Sequence, residues 1–469
     1  MRIFVEFPRW LFLAALVFAP WAYGCTRPWA IETLNAITLT VTCAWMVSCI
    51  IRREWPRIPV VLIVAALLLL LQGWWMILNA QYTYDRLRLQ FVPVPCLWAS
   101  GPGVLDRVDA MPAMIRITGL LGVVCFVSDL VQRPRWRTRV WWTIALTGTS
   151  IALYGLAVRV GGEAMINPRG EVIDRFFAGY RYHANAGAFI NLVFPAIAGL
   201  TIVAFGKSVN NPQRALWLPC LVVCLAGAVA ACSKAAMVVT ALLALAFGFR
   251  QAVVTFSEQR RLPSVRAVVV GSLALAAIGI AAVGIGSGAA AEKWMNTGQI
   301  GISWEQRWLC YGTCVRMLGD SGAWGFGPGN FMITFPHYTA YLGERIRGIW
   351  KFSHQDYLQT LIEWGWVGAG IWAVTFFGGV IEILRNFLKS KRVLPATDRI
   401  LLFASLLALL GVAAHALVDF PLQIASLQLY AATYLGVAWG SGQMIKGAET
   451  GRLPRSKGQT HSPGRMGES

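Results

Sequence analysis

The run IPVVLIVAALLLLLQGWWMIL, Ile58 to Leu78, holds 21 residues without a charge. A helix needs about 20 such residues to cross a hydrocarbon core of about 30 Å. A buried core helix of a soluble domain is rarely this long and this apolar on every side. Working outward from it, eleven further apolar runs lie near 10–24, 30–51, 112–131, 140–158, 184–206, 215–232, 235–250, 267–286, 357–384, 399–417 and 422–440. The expected fold is therefore an all-α polytopic membrane protein with about twelve transmembrane helices. The composition agrees: 57% of the 469 residues are hydrophobic and 13% are charged, against about 25% charged in soluble chains. Such apolarity excludes disorder. The same sparse charge makes nucleic acid an unexpected partner, despite a formal net charge of +19.

That charge sorts by side. With a cytoplasmic N-terminus and twelve crossings, segments 1–9, 51–57, 132–139, 207–214, 250–266, 385–399 and 441–469 face inward. They hold 25 of the 41 Lys and Arg residues. The inner side nets +17 and the outer side +2. Lys and Arg collect on the cytoplasmic side of membrane proteins, so both termini are expected there. Residues 1–440 read as one integral membrane domain, and 441–469 as a basic, disordered cytoplasmic tail. Ala22-Tyr23-Gly24-Cys25 faintly resembles a lipoprotein cleavage box, but Glu6 and the missing Leu before Tyr23 favour retention of the first span. The ten cysteines are scattered, with no zinc set or disulfide framework, and no metal or cofactor is expected.

Three outer segments are long: 79–111, 159–183 and 287–356. The last, between the ninth and tenth spans, is expected to form a loop subdomain rich in Trp, Phe and Tyr. Ser303-Trp-Glu-Gln306 is a capping-box pattern that predicts a helix over 304–318. Trp304, Trp308, Tyr311, Val315 and Leu318 would share its apolar face, with Arg307 on a neighbouring one. Trp324-Gly-Phe-Gly-Pro-Gly-Asn330 reads as a tight structural turn rather than a phosphate loop, since Pro328 removes a donor. Ser353-His-Gln-Asp356 opens the tenth span, with Ser353 as N-cap and His354 in the first turn. A neutral imidazole there is a candidate general base.

On the same outer face, Tyr180-Arg-Tyr-His-Ala-Asn185 opens the sixth span, with Arg181 at its mouth and Arg175 upstream. Ser233-Lys234 turns the hairpin between the seventh and eighth spans. His415 and Asp419, four apart near the end of the eleventh, are expected on one helix face. Ionisable groups in spans are functional candidates by default.

Arg181…Asn185, Ser233-Lys234-Ala235, Arg307 before Gly325-Phe-Gly-Pro-Gly-Asn-Phe331, and Ser353-His-Gln-Asp-Tyr-Leu-Gln359…Glu363-Trp-Gly365 together resemble the O-antigen ligase / O-antigen polymerase superfamily. The resemblance covers residues 180–440. It implies a metal-independent glycosyltransferase of the bacterial inner membrane with a periplasmic active site. The implied donor is a glycan on undecaprenyl diphosphate. The implied acceptor is lipid A–core in ligases, a growing chain in polymerases, or a Ser or Thr hydroxyl in protein-directed relatives. The family's key loop arginine matches Arg307 and its histidine His354. Its earlier arginine matches Arg181, with Arg175 as rival. The hairpin usually reads Ser-Arg-Gly, so Lys234 keeps charge but loses the bidentate fork. His415, Asp419 and Lys234 are secondary candidates. The rival class is a transporter or flippase for lipid-linked glycans, which would place its polar cluster at mid-membrane. A peptidoglycan-type polymerase, with Asp320 or Asp356 as its carboxylate, is a further rival.

Overall fold

A computed structural model describes residues 2–161, 165–166, 172–173, 177–206, 211–259, 304–346, 348–390 and 393–450. The ninth span expected at 267–286, Arg175, the first part of the 287–356 loop and the tail beyond 450 lie outside the described residues.

Thirteen described helices make the molecule: α1 Arg2–Trp21, α2 Pro28–Arg52, α3 Val60–Leu78, α4 Arg107–Leu130, α5 Pro134–Val160, α6 His183–Phe205, α7 Gln213–Ala230, α8 Lys234–Gln259, α9 Trp304–Ser321, α10 Phe331–Thr339, α11 Asp356–Lys389, α12 Ala396–His415 and α13 Ala425–Glu449. Each expected run within the described residues falls in a helix. Nine of these are long and apolar enough to cross a membrane: α2 to α8, α11 and α12. The runs at 10–24 and 422–440 are mostly helical too, in α1 and α13, but lie outside that set. Helix α13 continues to Glu449, nine residues into the segment expected to be a disordered tail. Two antiparallel hairpins, β1 Tyr82–Asp85 with β2 Gln90–Pro93 and β3 Met165–Ile166 with β4 Val172–Ile173, are small additions in the loops.

Helix α6 is the axis of the bundle, with 89% of its apolar window buried, against 22% for α8. It packs on α12, α7, α5 and α8, while α13 fills the space between α4, α11 and α12. Close approach requires small residues. Gly436 and Gly440 on α13 lie against Val127 and Ser128 of α4, where added Cβ atoms would crowd the facing backbone.

Helix α11 is broken at Gly365, where φ is +63°. The glycine turn expected at 324–330 docks into the break. Phe326 and Gly327 donate their N–H groups to the carbonyls of Ile362 and Glu363 at 3.0 and 2.9 Å, and Val367 donates to Ala323 at 3.0 Å. Backbone groups freed by the bend are thus satisfied inside the protein, the condition for non-helical backbone at membrane depth. The far side of the turn is held by α4: Asp106 N–H donates to Asn330 Oδ1 at 2.6 Å. Beyond the bend, Trp366 to Lys389 remains long enough to span.

Helix α9 forms as expected and runs to Ser321, but a different face is buried. Cys310, Cys314 and Met317 point inward, beside the buried Thr313, and with Phe331, Phe335, Trp350 and Ile362 they make a small separate core. Trp308 and Val315 of the expected apolar face are 59% and 60% exposed. Placement of Arg307 and Tyr311 follows from this rotation.

Candidate active site

His354 sits immediately before the cap of α11. The structure moves the cap from Ser353 to Gln355, whose side chain accepts the Leu358 N–H. This leaves His354 in the left-handed region at φ +58°, a conformation that costs a non-glycine residue roughly 1–2 kcal/mol. Its neighbours hold it there. Ser353 N–H donates to Gln359 Oε1 at 3.1 Å, Ser353 Oγ accepts Gln355 N–H at 3.1 Å, and Tyr311 donates its hydroxyl to the His354 carbonyl at 3.0 Å. The imidazole stands edge-on to Phe420 and Trp350, with centroids at 4.6 and 5.4 Å.

Nδ1 of His354 lies 3.2 Å from Oδ1 of Asp419, the two side chains being 9% and 5% exposed. Asp419 also accepts the Phe420 N–H at 3.1 Å, and Tyr182 Oη reaches its Oδ2 at 3.5 Å. Burial alone would raise the Asp419 carboxyl. The His354 hydrogen bond and the electrostatic interactions with His354, His415 and Arg307 outweigh it and hold the carboxyl below its ordinary value. A carboxylate at Oδ1 assigns the proton of neutral His354 to Nδ1, which leaves Nε2 as the basic nitrogen.

Two rows of hydrogen bonds fix the Asp419 turn. Asp356 N–H donates to the Ala416 carbonyl at 3.1 Å, and the Asp356 carboxylate accepts Leu422 N–H at 2.8 Å and Gln423 Nε2 at 3.1 Å. From α9, Arg307 donates Nη1 to the Val418 carbonyl at 2.6 Å. Arg307 and Tyr311 are four apart on one helix face. One grips the strand bearing Asp419 and the other the strand bearing His354.

The expected pairing of His415 with Asp419 on one helix face is corrected. Helix α12 ends at His415, and Asp419 lies in the turn beyond: its N–H donates to the His415 carbonyl at 3.1 Å, but its carboxylate is bonded to His354. His415 is buried beside Asp419 and Arg307, and neither of its ring nitrogens has a hydrogen-bond partner among the described residues. Arg181 is exposed at the mouth of α6, next to Tyr182, which stacks on Phe420 at 5.6 Å. Lys234 begins α8 at the same end of the bundle. Ser233 caps that helix through Ala236 N–H at 3.3 Å and lies against Gly187 of α6.

Sequence reading missed four groups. Tyr182 and Tyr311 bear on the dyad, and Arg116 lies in α4 facing Glu363 of α11. Glu363 itself accepts Gly329 N–H and Gln359 Nε2, both at 3.0 Å. Near Arg116 stands Lys351, three residues before His354, with Nζ 5.5 Å from the Phe352 ring centre. Partial burial lowers the Lys351 ammonium below the ordinary lysine value, Arg116 lowers it further, and Asp109 opposes both. Arg116 carried a signal, being an ionisable residue within an apolar run.

No curated protein matches the chain. Residues 219–373, about a third of it, match the sequence model of the family described as O-antigen ligase. The matched stretch contains Lys234, Arg307, the glycine turn and His354, and stops short of Asp419. That match supports placing the chain in the O-antigen ligase superfamily.

Proposed function

We propose that the protein transfers a glycan from undecaprenyl diphosphate to an acceptor hydroxyl at the periplasmic face of the bacterial inner membrane, as an O-antigen ligase with lipid A–core as acceptor. The observation that carries this reading is the buried His354–Asp419 pair at one end of a membrane bundle. Its chemistry is that of a general base held in one tautomer.

His354 Nε2 takes the proton of the acceptor hydroxyl. The hydroxyl oxygen attacks the anomeric carbon of the donor sugar. The bond from that carbon to the diphosphate oxygen breaks, and the lipid diphosphate leaves with the electron pair. Asp419 stabilises the imidazolium that forms. Arg307 spends one N–H on Val418 and keeps four donors for the leaving phosphate. Arg181, Lys351 and Arg116 are the other cations for that charge. The transferase reading is favoured over transport because the dyad sits at helix ends rather than at mid-span.

The test is glycan transfer in reconstituted membranes with His354→Ala. The expected loss is about 10²–10⁴-fold; full transfer by the variant refutes the assignment. Deleting the gene in its host and profiling glycans separates the readings within the family. Uncapped lipid A–core with free polymer accumulating supports a ligase. Single-repeat products point to a polymerase, and unglycosylated protein to a protein-directed enzyme.

A further inference from the structure

At the end of the bundle opposite His354, the α2–α3 and α4–α5 connections enclose a cavity of about 350 Å³ lined by Glu54, Trp55, Arg57, Asp129, Gln132 and Arg133. This is within the size range of small-ligand sites. Its walls are tied together. Gln132 Nε2 donates to the Arg57 carbonyl at 2.8 Å and to Ser128 at 3.1 Å, and Asp129 Oδ1 accepts the Arg57 N–H at 3.3 Å.

The two acids are already engaged. Glu54 pairs with Arg52 at 2.6 Å, and Asp129 Oδ2 takes the Trp45 indole N–H at 3.4 Å. Neither the Arg57 nor the Arg133 guanidinium pairs with a carboxylate among the described residues. Arg133 is half-buried, and burial pulls its guanidinium below the ordinary arginine value with no acid to offset it. A charge so placed calls for an anion from outside. Around the rim, Trp55 is 94% exposed, and Ile50, Val60 and Val61 are exposed where α2 ends and α3 begins. These apolar side chains belong in lipid, with the indole at the interface.

We infer that this cavity binds the phosphate of an anionic membrane lipid, with Arg57 and Arg133 on the phosphate and the acyl chains along the exposed ends of α2 and α3. Basic pockets between spanning helices bind lipid headgroups in this manner. The site is independent of the transfer reaction.

The experiment is native mass spectrometry of the purified full chain in detergent, with phosphatidylglycerol and phosphatidylcholine as competing probes. The wild type is expected to retain phosphatidylglycerol roughly ten- to thirty-fold better. Arg57→Gln with Arg133→Gln abolishes that preference. Arg53→Gln with Arg135→Gln, which removes equal charge from the same end but lies outside the lining of this cavity, preserves it. Lack of preference in the wild type, or equal loss in both double variants, overturns the site. Inorganic phosphate displacing the lipid at millimolar concentration shows an oxyanion site for a soluble ligand and overturns the lipid assignment. The wild-type comparison and the phosphate competition stand even if the Arg57/Arg133 variant does not fold.

Discussion

His354 and Asp419 meet at 3.2 Å across 65 positions of sequence, and each stands outside a helix. One precedes the cap of α11, the other follows the end of α12. Helix α9 and the Asp356 side chain hold the two strands together. Asp419→Asn keeps the size of the side chain but removes its charge and frees the tautomer. Transfer should fall about 10²–10⁴-fold in kcat, with KM for either substrate little changed. Activity within two-fold of wild type would mean that Asp419 is merely structural.

The membrane architecture was readable because one requirement, about 20 apolar residues, is local to each segment. The site was half readable. His354 stood out by residue type at a span boundary, and Arg307 by its place on the capped helix of the long outer loop. What positions them did not. Whether α12 stops at His415 or runs on to Asp419 depends on Asp356 and Arg307 capturing the turn from distant segments. The left-handed turn at His354 follows from Tyr311 and Gln359, and leaves no mark at Ser353-His-Gln-Asp356 itself. The packed face of α9 was not legible for a similar reason: the core it meets is built from the distant Phe331, Phe335 and Trp350 and takes Cys310 and Cys314, while the apolar Trp308 and Val315 stay exposed.

Asp419 also makes stability depend on acid. Its folded carboxyl lies below the unfolded value of about 3.9, so its contribution is fully present above that value. The contribution is lost as pH falls through the depressed folded value. Thermal unfolding of the wild type in detergent should therefore show an added loss of stability below about pH 4. Asp419→Asn should lack that component; identical acid slopes in the two proteins would contradict the depressed carboxyl.

The broken helix depends on Gly365, where φ is +63° and a Cβ would strike the Ala323 carbonyl. Gly365→Ala should destabilise by about 2 kcal/mol or more and reduce transfer, since the glycine turn and α11 shift together. Gly370→Ala, on the same helix with nothing within 4 Å, should be neutral or stabilising by up to about 1 kcal/mol. Equal melting temperatures for the two variants would show that the break tolerates a side chain.

Arg307 is asked to hold Val418 and to meet the phosphate, and a lysine can do only one of these. Arg307→Lys should lower kcat by roughly 10-fold or more, because a single ammonium cannot fork between a carbonyl and an oxyanion. An unchanged kcat with a higher donor KM would leave Arg307 with ground-state binding alone.

Arg116 and Lys351 form a basic patch, answered by Asp109 and Glu363. Asp109 is already paired with Arg86 at 2.6 Å, and Glu363 accepts Gly329 and Gln359. The patch therefore has cationic capacity to spare, as a site for a diphosphate requires. Lys351→Gln and Arg116→Gln should each raise KM for the lipid-diphosphate donor roughly 10-fold and leave acceptor KM unchanged. The opposite split, with acceptor KM rising alone, would assign the patch to phosphate on the acceptor core. Lys351 precedes His354 by three residues, on the segment that carries the base, and the donor-side outcome is the expected one.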